Sequence, residues 1–381
     1  MKIYKYPVIL ATYLIILGLT GCNNKRNFSM LEISRADLLA QKRSSLEEGV
    51  EGVTRADKKE VFSKAFEHHV SLLEDPNNTN LTTEKVRLIR DDSVVDQAVA
   101  DVVVKKLYPV NIEVTPNWMH LHDKAIADKW ADKNVVLSYL DYANASLGGG
   151  AFSNGWTQEE QMVAFCTEFA LLLAGEPFKK TQESLVDPAN INFITRSTRD
   201  ASKLSPRPKY LVNLRCSTGT PVGTFQPKVA TLEFINNPPA INIIAAATQH
   251  LDKKKKGPYE LLDLTDLFSN IYRAFELVKN YNSGKENVIF GGRIGGGVFN
   301  HSVLMSAAMQ ILAARIVGIE NLVLTGQKSG AIANIYEKAI KKVDSFLDER
   351  DIINMKIEDV LSLFLDYVKD NNKWDRNSSY K

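Results

Sequence analysis

From about Asn111 onward, short apolar runs alternate with longer stretches whose apolar positions recur three and four residues apart. The runs at Val135–Leu140, Tyr210–Leu214, Thr231–Ile235, Ile241–Ile244, Val288–Phe290 and Leu322–Leu324 predict strands, and Thr157–Ala174, Leu261–Lys279, Ser302–Val317 and Ile332–Leu347 predict helices. A strand that is apolar on consecutive positions has no solvent face. The pattern therefore predicts an α/β layered fold whose sheet is covered on both sides.

Before Asn111 the pattern is different. Leu31–Leu46 and Lys58–Leu73 carry apolar residues at helical spacing among many charges, Asp75-Pro76-Asn77-Asn78 ends the second stretch, and Val94–Val104 predicts a further helix. Residues 23–110 are expected to form a helical accessory segment without a site, residues 111–369 the main domain, and residues 370–381 a frayed polar tail.

The first residues change the picture more than bulk composition does. Lys2 and Lys5 precede the apolar run Val8–Leu17, and Leu19-Thr20-Gly21-Cys22 follows, with polar residues beyond. That order predicts a signal peptide over residues 1–21, and the small residues before Cys22 resemble a lipobox in which that cysteine is lipidated. The expectation is an exported chain, a cell-envelope lipoprotein or a secreted protein, which meets the membrane only through its lipid or signal. Lys2 and Lys5 carry the whole formal excess of +2, so the remainder is neutral. Neutrality argues against bulk electrostatic binding to nucleic acid, and no sequence-specific nucleic-acid binding is expected. The basic run Lys253–Lys256 reads as a solvated loop. Cys166 and Cys216 read as free buried thiols, and His68-His69 and His120 with His122 match no metal-ligand spacing. Neither a metal site nor a cofactor is expected.

Two glycine-rich loops carry the candidate chemistry. Asp141 to Gly150 leaves the strand at Val135, and Gly291 to Phe299 leaves the strand at Val288 and enters the helix at Ser302. Three consecutive glycines admit positive φ and a close backbone approach, and successive amides in such a turn can form an anion-binding nest. A single Gly-Gly-Gly is more often a tight turn. Two of them, each between strand and helix, suggest a diphosphate cradle. Neither has the spacing of a Walker or dinucleotide fingerprint.

After seven intervening residues beyond Gly150, Gln158-Glu159-Glu160 opens an apolar helix. Thr157 to Glu160 alone is a capping box. Beside a phosphate cradle, the same carboxyl group would stand near the attached ribose. A glycosidic bond to ribose breaks through an oxocarbenium-like state whose leaving oxygen needs a proton, which a neighbouring carboxylic acid supplies.

At these residues the sequence resembles the poly(ADP-ribose) glycohydrolases, whose signature is Gly-Gly-Gly, six to eight residues, then Gln-Glu-Glu. Asp141-Tyr142-Ala143-Asn144 is similar to that family's Asp-Phe-Ala-Asn, and Gly292, Gly295, Gly297 and Phe299 fall in register with its second ligand loop. The similarity covers roughly Val135 to Tyr367. It implies a macrodomain-like, three-layer α/β/α fold with a mixed central sheet, and hydrolysis of ribose–ribose O-glycosidic bonds that releases ADP-ribose. Glu160 would be the general acid and base, and Glu159 would hold the ribose hydroxyls. Asp141 and Asn144 would serve the ribose and adenine side, and Gly148, Gly149, Gly150 and Gln158 would line the catalytic loop. Gly295, Gly296, Gly297 and Val298 would bind the diphosphate, and Phe299 would shape the ribose pocket.

The expected partner is poly(ADP-ribose) or an ADP-ribosylated protein, met by a monomer. Removal of single ADP-ribose units and non-catalytic ADP-ribose binding are the alternatives. The sequence departs from the family at Arg293, Ile294, Gly296, Asn300-His301-Ser302 and Gln327, and no flap tyrosine is evident between Gly175 and Lys209.

Overall fold

The computed structural model describes residues 28–91, 99–122, 124–130, 134–143, 147–174, 209–223, 229–249, 251, 257–296, 299–326, 331–369 and 374–375. Cys22, Asn144, Gly297, Val298, the Lys253–Lys256 run, nearly all of the polar tail and residues 175–208, where no flap tyrosine is evident in the sequence, lie outside them.

In chain order the strands are β1 Phe28–Ser34, β2 Lys85–Asp91, β3 Asn111–Thr115, β4 Met119–Leu121, β5 Val135–Asp141, β6 Lys209–Arg215, β7 Thr218–Val222, β8 Glu233–Phe234, β9 Ala240–Ala246, β10 Glu286–Gly291 and β11 Asn321–Thr325. The α-helices are α1 Arg35–Glu51, α2 Ala56–Glu74, α3 Thr79–Thr83, α4 Lys124–Trp130, α5 Gln158–Phe165, α6 Thr167–Leu173, α7 Leu261–Tyr281, α8 Val303–Val317, α9 Ala331–Glu349 and α10 Ile357–Val368. Eight strands form one mixed sheet in the order β1-β2-β6-β9-β5-β10-β11-β3. Strands β9, β5, β10, β11 and β3 run parallel; β1, β2 and β6 join antiparallel at one side.

Alternate side chains of the central strands enter two separate cores, as a sheet covered on both faces requires. Leu137, Tyr139, Ile241, Ile243, Val288 and Phe290 pack with α1, α2, α5 and α6. Leu140, Ile244 and Ile289 pack with α7, α8, α9 and α10. The fold is thus a three-layer α/β/α arrangement around a mixed sheet. Among the described residues no helix is long and apolar enough to cross a membrane, and no group of three or more His, Cys, Asp or Glu is placed to hold a metal ion.

The segment before Asn111 differs from the helical expectation. The helices expected over Leu31–Leu46 and Lys58–Leu73 are present as α1 and α2, although Leu31–Ser34 is strand. The one expected at Val94–Val104 lies partly outside the described residues, with Val103 forming a β-bridge to Lys356. The segment also supplies β1 and β2, which extend the main sheet, and α1 and α2 form part of one of the two covering layers. Val86 and Leu88 point into that layer, while Arg87 stands directly opposite Glu32 of β1 and pairs with it. Cross-strand charge pairs suit a sheet edge, and here they mask the two-residue period.

Two smaller differences concern local structure. The stretch Thr157–Ala174 is two helices, broken at Cys166, because the Phe165 carbonyl accepts from the Thr218 hydroxyl of β7 instead of continuing the helix. The stretch Thr231–Ile235 contains only the two-residue β8, after a short 3₁₀ turn at Val229–Thr231. Cys166 and Cys216 are both buried free thiols. Burial raises the Cys166 pKa, and hydrogen bonding with Cys216 adds to the shift.

Candidate functional site

Strands β5 and β10 are parallel neighbours, with Phe290 opposite Tyr139 and the two rings stacked at 4.7 Å. Both glycine loops therefore leave the same end of the sheet side by side, where ligands bind in open α/β folds.

Each loop is held by a glutamine from the helix that follows it. Gln158, first residue of α5, donates from Nε2 to the Leu140 carbonyl at 2.8 Å, and its Oε1 accepts from the Tyr142 amide at 2.9 Å. Gln310 of α8 does the same at the second loop. Its Oε1 accepts from the Gly292 amide at 3.0 Å and its Nε2 donates to the Gly292 carbonyl at 2.6 Å. A side-chain amide thus replaces the ladder partner that each chain loses where its strand ends.

The first loop wraps the two acids. Glu159 Oε1 accepts from the Gly148 amide at 2.7 Å. Glu160 Oε1 accepts from the Gly150 amide at 3.0 Å, and its Oε2 accepts from the Thr157 amide at 2.5 Å and from the Thr157 hydroxyl. Glu159 and Glu160 are 3% and 8% exposed, so these bonds replace most of their hydration.

Gly149 is demanded twice over. Its φ is +50°, and a Cβ there would lie 2.7 Å from Glu159 Oε2 and 2.9 Å from Glu160 Oε1. The glycine run alone also suits a phosphate nest. The structure shows the Gly148 and Gly150 amides engaged by carboxylates, so this Gly-Gly-Gly forms the seat of the acids.

Asp141 ends β5 fully buried, and among the described residues neither of its carboxylate oxygens has a hydrogen-bond partner. Desolvation first, and the negative charge of Glu160 second, push its pKa well above the usual carboxylate range. The Glu160 carboxylate has hydrogen-bond donors and Asp141 has none among the described residues, so burial bears harder on a charge at Asp141.

The second loop carries no acid. Gly295 has φ +66°, and a Cβ there would meet His301 at 2.6 Å and Thr248 Oγ1 at 2.9 Å. The Gly296 amide donates to the Arg293 carbonyl at 2.9 Å. Gly292, at φ +151°, leaves room for the Tyr142 hydroxyl, which its Cβ would approach to 2.6 Å. Burial raises the Tyr142 pKa, with Arg293 opposing. His301 is 3% exposed, sits 2.8 Å from the Gln249 carbonyl through Nε2, and contacts Tyr259, whose hydroxyl accepts from the Ser302 amide. Phe299 is half-buried, and its carbonyl accepts from the Leu251 amide at 3.0 Å.

Three polar residues here had no role in the sequence reading. Ser306 and Gln310 lie four apart in a helix that is otherwise apolar until Arg315 in its last turn, and the Ser306 hydroxyl donates to the Ile294 carbonyl at 2.7 Å. That spacing of polar residues on a buried face was the available signal. Lys58 of α2 is fully buried, and its ammonium donates to the carbonyls of Gly150, Ser153 and Gly155 at 3.1, 2.8 and 2.6 Å. It shares a helix face with Val61, Phe62 and Ala65, a position where an apolar residue would be ordinary.

No protein-family model and no curated protein matches the sequence. Among solved structures, the chain is similar to poly(ADP-ribose) glycohydrolase from Thermomonospora curvata, at 14% identity over 79% of this chain and 99% of that one, with a TM-score of 0.45. The same enzyme bound to the inhibitor ADP-HPD matches at 14% identity over 78% and 99%, with a TM-score of 0.43. Poly(ADP-ribose) glycohydrolase from Deinococcus radiodurans in complex with ADP-ribose matches at 14% identity over 65% and 91%, with a TM-score of 0.40.

Proposed function

We propose that the chain is a poly(ADP-ribose) glycohydrolase-like enzyme that cuts ribose–ribose O-glycosidic bonds and releases ADP-ribose. The observation that carries the reading is the seating of two adjacent, buried carboxyl groups against a Gly-Gly-Gly turn, beside a second glycine loop at the same end of the sheet. In this reading the ADP-ribose diphosphate lies along the second loop, and Glu159 holds the ribose hydroxyls. Glu160 gives its proton to the departing ribose oxygen as the C–O bond breaks. Water then adds to the oxocarbenium carbon and returns a proton to Glu160, which restores the acid.

The test is incubation of the purified protein with labelled poly(ADP-ribose), followed by chromatography of the products. Free ADP-ribose is expected. Intact polymer, in the presence of demonstrated ADP-ribose binding, would instead mark a binding module. We further propose that the protein is exported and lipidated at Cys22, as the Leu19-Thr20-Gly21 context suggests. Cys22→Ser should move it from the membrane fraction to the soluble one; an unchanged distribution would reject the anchor.

A further inference from the structure

The helical segment before Asn111 reaches the acids through one side chain. We propose that Lys58 is a positioning residue of the site: its buried ammonium gathers three carbonyls of the loop from Gly150 to Gly155 and so fixes the turn that seats Glu159 and Glu160. This rests on the reading that those acids perform the chemistry.

The geometry makes the case. An ammonium has three N–H donors, and three carbonyl oxygens stand within 3.1 Å of Nζ. Gly150 is gripped from both sides, its carbonyl by Lys58 and its amide by Glu160. A Cβ on Gly155 would lie 2.7 Å from Glu160 Oε1, so the third carbonyl held by Lys58 belongs to a residue packed directly on the acid.

Neighbouring contacts from α2 and the turn before it hold the outside of the same loop. Phe62 stacks on Phe152 at 5.5 Å, the Thr54 hydroxyl bonds Asn154 at 2.6 Å, and Arg55 lies over Trp156 at 5.4 Å. Lys58 also lies over that indole, 5.5 Å from its centroid.

A buried cation is expensive unless it is hydrogen-bonded, and methionine would fill this helix position with no such requirement. The lysine is therefore tied to what it holds. Desolvation draws its amine down to about 8, while the charge of Glu160 opposes the fall. The remaining charges that act on it are Arg55 and Asp57 of its own helix end.

The experiment compares the full chain with Lys58→Met and Lys58→Gln, the second keeping two N–H donors without charge. Turnover of poly(ADP-ribose) and hydrogen exchange of the amides from Gly148 to Thr157 are measured at matched global stability. We expect Lys58→Met to lower kcat on the order of a hundredfold while KM stays near wild type, as misplacement of a reacting group does. Exchange in the loop should rise at least about tenfold relative to α8, which marks local opening. Lys58→Gln should fall between, and it decides the same comparison if Lys58→Met does not fold. A lower melting temperature with unchanged kcat per folded molecule and unchanged loop exchange would overturn the proposal, since a packing role alone predicts that result. If wild type turns over no polymer, the functional reading fails, while the loop exchange still decides whether Lys58 sets the turn.

Discussion

The two glycine loops look alike in sequence and differ in what their amides face. Both leave neighbouring parallel strands, and both are clamped by a glutamine of the following helix. In the first, the amides of Gly148 and Gly150 point at carboxylates that arrive with α5. In the second, the Gly296 amide closes on the loop's own Arg293 carbonyl, and no acid follows. A run of glycines therefore specifies only that backbone must come close to something. What it approaches is decided by the next helix, which brings acids in one case and, at Ser302, a hydroxyl cap that accepts from Met305 in the other.

The sharpest test of this division is Glu160→Gln. We expect turnover to fall about a hundredfold to ten-thousandfold, the usual worth of a general acid, with ADP-ribose affinity retained. The change is not silent for the loop. Both carboxylate oxygens accept backbone amides, and glutamine offers only one acceptor, so one donor loses its partner at a cost of roughly 1–3 kcal/mol. Turnover must therefore be compared at matched folded fraction. Near-wild-type rates would leave Glu160 as a helix cap alone.

Next in size is Gly149→Ala. The left-handed φ costs about 1–2 kcal/mol for a residue with a Cβ, and that carbon lands between the two acids. We expect loss of kcat on the order of a hundredfold together with a lower melting temperature. An active, stable alanine variant would show that the turn does not seat the acids as described. Gly296→Val probes the other loop, where a Cβ would meet the Val303 side chain at 3.0 Å. Here the expected loss is in affinity, about tenfold or 1.4 kcal/mol in Kd for ADP-ribose by calorimetry, with kcat at saturation little changed. Equal affinity in a folded variant would remove the second loop from ligand binding.

The smallest effect is a pH dependence belonging to the first loop alone. Lys58 titrates near 8 in the folded chain against an ordinary value of 10.5, desolvation being the main cause. Between those values the unfolded chain keeps a proton that the native chain has released, so stability linked to Lys58 rises with pH across that window. Urea melts at pH 7.5 and 10 should show wild type gaining on Lys58→Met. A constant gap would mean that the amine titrates normally.

Much of this was readable from residue order. The central strands announce themselves as unbroken apolar runs because both faces of the sheet are covered. The adjacency of Glu159 and Glu160, and their spacing from Gly148–Gly150, also lie within one short stretch. Residues whose partners lie far along the chain were opaque. Lys58 sits beside Lys59 and Glu60 and reads as solvated, since the carbonyls it binds belong to residues 150–155. Strands β1 and β2 were hidden by Glu32 and Arg87, which neutralise each other only once the strands pair. The break at Cys166 depends on Thr218, a residue of another strand.

The strand order has a consequence for timing. Strand β5 ends at Asp141, but its neighbour β10 is complete only at Gly291, and edge strand β3 waits for β11 at Asn321–Thr325. Pairing of such distant segments folds slowly, because long loops must close before any contact compensates. A chain still being synthesised thus holds both acids for more than a hundred residues before the loop beside which, on the proposed reading, they would act. Fragments that end between Glu160 and Glu286 contain the acids without the strand and loop that stand beside them.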